Sequence, residues 1–383
     1  MIDIGLSASE MRQVVKTLAS PHEVAVQVHV LDLDHRVMGQ ITTKAVSGQV
    51  NVDCRTIDAP TRQLQLELVD PTGAINVDSD DGRPRINRMI RVHYLLYVGG
   101  IVNDMVAIPV FTGPISYCKR EGNVLTIEAL GKEALSDRPS GRAKTWPKNR
   151  NRVSVVQAIL EDLTGETRFR FPKGTTARTA KAISLKAEST PWVHARALTK
   201  TMNMQLFYDG RGTCRMRRRP IRAAYTFRDG PGGTILTPPK TSENTRDIVN
   251  RVVVYGATPK GKKAPLRGQA FLHESHMYSC QSLRRGGKLG YRTETITDDS
   301  LRSQKEVDAL AARRIKEIEI DEQEVTFECL AFPLLEEGDA VVVDSAELKM
   351  TARVDQFSLG LGHGGTTTIG YLAPIKRRKA ALR

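Results

Sequence analysis

Closely spaced β-prone segments near both ends of the 383-residue chain constrain its fold more than any other feature. Arg62–Val69 alternates apolar and polar residues with a period of two, which predicts a strand with one buried face. Similar runs occupy residues 24–31, 49–54 and 89–98, and turn residues rather than helical patterns separate them. Because strands this close in sequence pair with their neighbours, we expect an antiparallel sheet that closes into a barrel or forms a sandwich.

The last part of the chain carries a second group of strands with the same close spacing. Its β-prone runs are residues 324–330, 340–343, 350–359 and 366–372. The first group continues through residues 107–112 and a hairpin of residues 115–117 and 124–129 with its turn at 120–123. Few aromatic residues and many branched aliphatic ones indicate cores built from Val, Ile and Leu.

Helical patterns are few and have recognisable ends. Ser7 and Glu10 form a capping box, and a second box is formed by Ser303 and Glu306. The apolar stripe of the first helix is Met11, Val14, Val15 and Leu18. The buried face of the later helix is predicted to be Val307, Ala311, Ile315 and Ile318. We expect the first helix to pack on its own domain rather than on a neighbouring subunit.

The middle of the chain mixes helices with a hairpin. One helix ends at Gly165, and the next begins with Thr190 as N-cap and Pro191 in its first turn. A hairpin follows, with strands at 204–208 and 213–216. This pattern is typical of a small α+β domain.

We therefore predict an α+β, β-dominated fold with two antiparallel β-barrel domains, a small α+β domain between them and a few helices. The predicted divisions are an N-terminal helix at 1–20, a first β-barrel domain at 21–137, an α+β domain at 138–245, a second β-barrel domain at 246–375 and a basic tail at 376–383. The second barrel domain is expected to contain an inserted basic loop at about 257–295 and a helix at 303–318. Residues 136–152 are rich in Pro, Gly, Arg and Lys, which indicates a linker or exposed loop.

The composition bounds the partners and the compartment. A net charge of +14 is compatible with an acidic partner and equally with a protein that is simply soluble and basic, and charge alone does not choose among nucleic acid, an acidic protein face and a lipid surface. The first residues lack the features of a signal peptide, and no apolar run is long enough to predict a membrane span. Five scattered cysteines favour reduced thiols in a protein made in a cytosol.

Two sequence motifs partly match known ligand-binding patterns but lack residues that those patterns require. Residues 256–263 follow a strand and approach the phosphate-binding pattern G-x-x-x-x-G-K-[ST], but Lys263 occupies the hydroxyl position and Pro259 opposes the required loop. We interpret this segment as a basic hairpin or loop. His273 and His276 are three residues apart, whereas zinc proteases need two His four apart, so we expect surface histidines.

The acidic candidates also fall short of an active site. Residues 76–82 resemble a calcium loop, but the glycine is one place late and Asn87 stands where Glu is needed, so we expect a polar turn. Glu336, Glu337 and Asp339 lie in a tight turn between strands, where we expect them to be solvated and unperturbed. We assign no catalytic, cofactor-binding or metal-binding residues and predict no cofactor.

A basic cluster is the remaining positive signal. Arg215 and Arg217 alternate along a strand, which places them on one face. The cluster continues through Arg218, Arg219 and Arg222. Such charge suffices for phosphate contact, but no stacking aromatics are interleaved with it and no nucleic-acid-binding module can be placed. We favour salt-bridged contact with an acidic neighbour in an assembly over dedicated nucleic-acid binding.

Four features in this order resemble the tail hub proteins of bacteriophages, a family that includes the base of type VI secretion spikes and the late control D proteins. The features are the Thr190-Pro191-Trp192 helix with a hairpin at Asp209-Gly210, the strand pattern N-R-V-x-V-x-G at 250–256, the alanine-rich helix at 307–314, and the turn L-x-x-G-D-x-V at 335–341. They span residues from about 150 to 372, and the N-terminal barrel fits by architecture alone.

The resemblance implies a non-enzymatic minor tail or baseplate protein of a virion. Two similar barrels per subunit would alternate around a homotrimeric ring, which would join the hexameric tail tube and distal tail protein to the tail tip or spike. The ring would leave a channel for DNA ejection, with transient contact to phage DNA and to the tape-measure protein. The alternatives are a basic nucleic-acid-associated protein and an inactive relative of a tail-associated peptidoglycan hydrolase.

Overall fold

The computed structural model describes all residues of the chain except 3, 21, 23, 44–45, 56–59, 70–83, 85, 100–104, 243–247, 262, 275–277, 281–289, 300, 321–323, 363 and 378–383. The helices are α1 (Ala8–Leu18), α2 (Arg152–Thr164), α3 (Pro191–Thr201) and α4 (Gln304–Ile320), with a 3-10 helix at Lys132–Leu135. No helix in this part of the chain is long and apolar enough to cross a membrane.

The strands follow the predicted grouping. The first group is β1 (Val24–Leu31), β2 (Val37–Thr43), β3 (Val46–Asp53), β4 (Arg62–Val69), β5 (Met89–Tyr97), β6 (Met105–Glu121) and β7 (Val124–Leu130). The middle holds β8 (Lys144–Trp146), β9 (Phe169–Arg170), β10 (Ile183–Leu185), β11 (Met204–Tyr208), β12 (Cys214–Arg218), β13 (Tyr225–Arg228) and β14 (Lys240–Ser242). The last group is β15 (Arg251–Tyr255), β16 (Arg267–Phe271), β17 (Thr293–Thr297), β18 (Glu324–Leu330), β19 (Ala340–Asp344), β20 (Lys349–Gly360) and β21 (Thr366–Arg377).

The first strand group joins β18–β21 of the last group, together with β13 and β14, in one sheet of 13 strands. The hydrogen-bonded order is β14-β18-β21-β20-β3-β4-β7-β6-β5-β1-β2, and β19 and β13 branch from β20. The link between the groups is the antiparallel pair β3–β20, in which Val50 lies opposite Leu359. The β-dominated α+β class is confirmed, and the path does not close into a barrel within the described strands. Two separate barrel domains remain a prediction.

The main core lies against this sheet and explains the strand periodicity. In β4 every second residue is buried, so Leu64, Leu66 and Leu68 form one apolar face. Helix α1 begins with the predicted capping box, in which Ser7 Oγ accepts from the Glu10 amide and the Glu10 carboxylate accepts from the Ser7 amide. Its buried residues join the same core, which confirms packing on the chain's own fold.

The middle segment has its own core. Helices α2 and α3 pack on the sheet β11-β12-β9, where the Trp192 ring stacks on the Tyr208 ring at a centroid distance of 5.3 Å. Gly165 ends α2 in the left-handed conformation, as predicted, and Pro191 begins α3. Residues 136–152, predicted as a linker or exposed loop, contain β8, which pairs with β10. Trp146 of β8 is buried in this core.

A third unit contains β15, β16, β17 and α4. The predicted capping box of Ser303 and Glu306 begins α4, and Val307 packs against the strands. Gly268 of β16 permits the close approach, since a Cβ there would lie 2.9 Å from the Val307 carbonyl carbon. The segment after β15 forms a hairpin with β16, as the sequence indicates. The calcium-like stretch 76–82 and His276 lie outside the described residues.

Candidate functional site: a buried ionic junction

The turn between β18 and β19 is buried, in contrast to the sequence prediction. Glu336, Glu337 and Asp339 are only 0%, 3% and 1% exposed. The expectation of solvated, unperturbed carboxylates is therefore wrong. The reason is tertiary, because the hairpin β11–β12 covers this turn with its arginines. We call this region the ionic junction. It comprises the turn at residues 336–339, the hairpin β11–β12, and Arg62, Thr112 and Glu133 from the first part of the chain.

Local hydrogen bonds give the turn its shape. The Asp339 carboxylate accepts from the Glu336 amide at 2.9 Å, and the Asp339 amide donates to the Glu336 carbonyl at 3.1 Å. Gly338 has φ +69°, a left-handed conformation that disfavours side chains. The Gly338 amide donates to Val354 of β20 at 3.0 Å, which attaches the turn to the sheet.

Arg215 and Arg217 lie on one face of β12, as predicted, and they bind this turn. Arg215 Nη1 lies 3.0 Å from Glu336 Oε2. Arg217 Nη2 lies 3.1 Å from Asp339 Oδ1 and donates to the Glu337 carbonyl at 2.6 Å. The acidic neighbour expected in an assembly is thus in the same chain. Both guanidinium groups also lie near the Phe207 ring, at 5.9 and 4.9 Å from its centroid.

The turn between β11 and β12, which precedes these arginines, is attached to the first strand group. Asp209 accepts from the amides of Arg211 and Thr213 at 3.0 and 2.9 Å, which fixes the turn. The Gly210 carbonyl accepts from Thr112 Oγ1 of β6 at 2.8 Å. A Cβ at Gly210 would collide with the Pro109 carbonyl oxygen, so the contact needs glycine.

Two further buried charges complete the junction from the first strand group. Arg62 is 2% exposed and its Nη1 donates to the Val110 carbonyl at 2.9 Å. Glu133 is fully buried and accepts from Thr61 Oγ1 at 2.5 Å. Several buried atoms here have no hydrogen-bond partner among the described residues, namely Arg62 Nε and Nη2, Glu133 Oε2, Glu336 Oε1 and Glu337 Oε2.

Burial shifts the ionisation of these acids. Burial raises the pKa of Glu337 to about 7, although the charges of Arg196 and Arg62 oppose the shift. Burial also raises the pKa of Glu336 against the charge of Arg215, and it raises the pKa of Glu133 against its hydrogen bond from Thr61. These groups therefore hold protons more readily than exposed carboxylates do.

The chemistry of the junction is that of a structural joint. It ties the first strand group, the middle hairpin and the last strand group together through buried carboxylates, partly buried arginines and hydrogen bonds to the backbone. Within the described ranges, no three His, Cys, Asp or Glu side chains are grouped so that they could bind a metal ion. Removing one partner of such a pair is costly, because a buried charge is left uncompensated.

The sequence offered a signal for Arg62 that the prediction did not use. Arg62 has the same parity as Leu64, Leu66 and Leu68, so the period of two places it on the buried face of β4. A charged side chain at a buried position needs a polar or acidic partner. The acidic turn at Glu336, Glu337 and Asp339 was a candidate for such a partner. No comparable pattern marks Glu133, since it lies in a 3-10 helix of four residues.

No protein-family model and no curated protein matches the sequence. Three solved structures match 91–92% of the chain. The crystal structure of a 43 kDa tail protein of prophage MuSo2 from Shewanella oneidensis has a TM-score of 0.62 at 11% identity and covers 92% of this chain and 99% of its own. The tail protein from Neisseria meningitidis MC58 has a TM-score of 0.60 at 11% identity, with 91% and 96% covered. Prophage tail protein gp18 from Listeria monocytogenes EGD-e has a TM-score of 0.51 at 10% identity, with 92% and 95% covered. The predicted resemblance to phage tail proteins is confirmed at the level of the fold.

Proposed function

We propose that this chain is a non-enzymatic structural protein of a tailed bacteriophage, a tail hub or baseplate component of the virion. The observation that carries the proposal is the extent of the structural match, since the match to the Shewanella prophage tail protein covers 92% of this chain and 99% of that one. A match over more than nine tenths of both chains supports a shared overall fold rather than one common module.

The ionic junction supports a mechanical role for this fold. A hub has to keep its strand groups in a fixed arrangement while neighbouring rings attach above and below. Buried ion pairs contribute little net stability, but they penalise alternative arrangements in which a charge loses its partner. Arg215 and Arg217 therefore favour one position of the hairpin relative to the turn at Glu336 and Asp339.

We further propose that three copies form a ring that joins the tail tube and distal tail protein to the tip or spike. In this arrangement the first and last strand groups of each subunit alternate around the axis and adapt sixfold to threefold symmetry. The ring leaves a channel for DNA ejection and contacts the tape-measure protein and DNA in passing. Free edges such as β2, which pairs on one side only within the described strands, suit contacts between subunits.

Mass photometry of the purified chain at low and high salt tests this assembly. The proposal predicts a species at three times the 42.4 kDa subunit mass, alone or after addition of tail-tube protein. A monomer under every condition, together with tight, salt-sensitive binding of naked DNA, would support the nucleic-acid-associated alternative. The internal pairing of Arg215 and Arg217 argues against that alternative, because these arginines are not available to phosphates.

The non-enzymatic part of the proposal has a separate test, which asks whether the chain has peptidoglycan hydrolase activity. A turbidity assay on purified cell walls should give no clearance above buffer. Clearance that follows the monodisperse protein through gel filtration would contradict the non-enzymatic proposal.

A further inference from the structure

A second cluster of charged side chains surrounds His35, in the turn between β1 and β2. Arg168 Nη1 lies 2.9 Å from His35 Nδ1, and Arg91 Nη2 lies 3.3 Å from the same nitrogen. On the other side of the ring, Lys132 Nζ lies 2.8 Å from Nε2. Three cations from three parts of the chain thus meet at one half-buried imidazole.

Hydrogen-bond donors exceed acceptors in this cluster. A neutral imidazole has one N–H group and one nitrogen that accepts, whereas ammonium and guanidinium groups only donate. Cationic donors face both nitrogens of His35, so the donor that faces the N–H group has no acceptor there. The missing component of the cluster is therefore an acceptor.

Negative charge is also in deficit. Lys132 pairs with Glu166 at 2.6 Å, but Arg91, Arg168 and the exposed Arg211 form no ion pair within the described part of the chain. Burial and the charges of Arg168 and Arg211 lower the pKa of Arg91. Burial and the three nearby cations lower the pKa of His35 to about 3. Burial is the larger cause of both shifts, and repulsion among the like charges adds to it; an anion at the cluster would offset that repulsion.

Two carboxylates in the adjoining turns already have other partners. Asp32 accepts from the amide of Arg36 at 2.8 Å. Asp209 accepts from two amides in its own turn and lies 3.9 Å from Arg215. Neither Asp32 nor Asp209 is therefore free to pair with the cations of the cluster.

The rim of the cluster indicates the kind of partner. Three large apolar side chains of the same hairpin are exposed, Leu33 at 58%, Val37 at 55% and Met38 at 42%. Exposed apolar residues beside a convergent charged group are typical of a protein interface. A nucleic-acid backbone instead requires cations in a row that follows successive phosphates.

We propose that the His35 cluster is a docking pocket for an acidic side chain, carried by a partner protein segment with apolar residues on either side. The carboxylate would accept hydrogen bonds from Arg91 and Arg168, while the flanking apolar residues would cover Leu33 and Met38. This proposal does not depend on the tail assembly, because it concerns the chemistry of one surface.

Calorimetric titration of the full chain with two acetylated peptide amides tests it, one of sequence LELEL and one of sequence LQLQL. We expect LELEL to bind at least tenfold more tightly. The double variant Arg91→Gln/Arg168→Gln should lose at least tenfold in affinity for LELEL. Arg142→Gln/Arg150→Gln removes the same charge from exposed loop positions and should leave the affinity unchanged.

Several results would overturn the proposal. These are no binding of LELEL, equal binding of both peptides, or full binding by the Arg91/Arg168 double variant. Tighter binding of a 12-base-pair DNA duplex that is lost in the same double variant would identify the cluster as a nucleic-acid contact instead. If that variant does not fold, Leu33→Asp at the exposed rim replaces it and should weaken LELEL binding by charge repulsion and loss of apolar contact.

Discussion

Replacing Glu337 with Gln tests whether the ionic junction contains a carboxyl group that keeps its proton near neutral pH. Burial raises the pKa of Glu337 from 4.5 to about 7, and the groups facing it are Arg196, Arg62, Glu133 and Thr61. In the unfolded chain the pKa returns to its ordinary value. The proton therefore stabilises the folded chain fully below pH 4.5, and this contribution is lost as the pH rises through about 7. At 1.36 kcal/mol per pKa unit, the loss is about 3 kcal/mol.

Gln has the shape and neutrality of the protonated group, so the variant lacks this pH dependence. The assay is thermal unfolding at pH 5 and pH 8. With an unfolding entropy of about 2.1 cal/mol/K per residue, 3 kcal/mol corresponds to about 4 °C for a cooperative transition of the whole chain. Part of the contribution is already lost at pH 5, so about 2.5 kcal/mol separates pH 5 from pH 8. We expect the Tm of Glu337→Gln relative to wild type to rise by about 3 °C between these two pH values.

The control for this experiment is Glu188→Gln, at a side chain that is 72% exposed. Its Tm relative to wild type should be the same at both pH values. A Glu337→Gln difference that is also the same at pH 5 and pH 8 would refute the reasoning, because the carboxyl group would then titrate alike in the folded and unfolded chain.

Two further substitutions test the geometry of the junction. Arg217→Ala removes the guanidinium from Asp339, which keeps the N-terminal ammonium of Met1 at 2.6 Å, so the fold should lose about 1.5–3 kcal/mol in chemical denaturation. Arg218→Ala at the exposed next position should change stability by less than about 0.5 kcal/mol. Equal effects would show that the pairing contributes nothing. Gly338→Ala should reduce the free energy of unfolding by about 1–2 kcal/mol because of its positive φ. The loss should be larger still, because the Cβ would lie 2.5 Å from a side-chain oxygen of the hairpin. Gly230→Ala has a similar φ in open space and should show the conformational cost alone. A smaller loss at Gly338 than at Gly230 would contradict the predicted contact.

The strands and helix ends could be predicted because their signals are local. The alternation of Arg62–Val69, the capping box at Ser7 and the glycine that ends α2 each depend on a few neighbouring residues. The pairing of β3 with β20 could not be predicted in the same way, since about 300 residues separate Val50 from Leu359 and hydrophobic periodicity does not specify a partner strand.

The site was mispredicted for the same reason. A turn that contains Glu336, Glu337 and Asp339 is solvated by default, and only the covering hairpin makes it buried. The prediction that Arg215 and Arg217 share a face was local and is confirmed, but their acidic partner was placed in another molecule. The His35 cluster gave no sequence signal, because Arg91, Lys132 and Arg168 are far apart along the chain.

Immunogold labelling of purified phage particles, produced in a host that carries this gene, tests the central claim most directly. The proposed role predicts gold particles at the distal end of the tail, with the chain detected by mass spectrometry in the same particles together with tail-tube and tape-measure proteins. Purified tailed particles that lack the chain, or label confined to free DNA outside them, would contradict it.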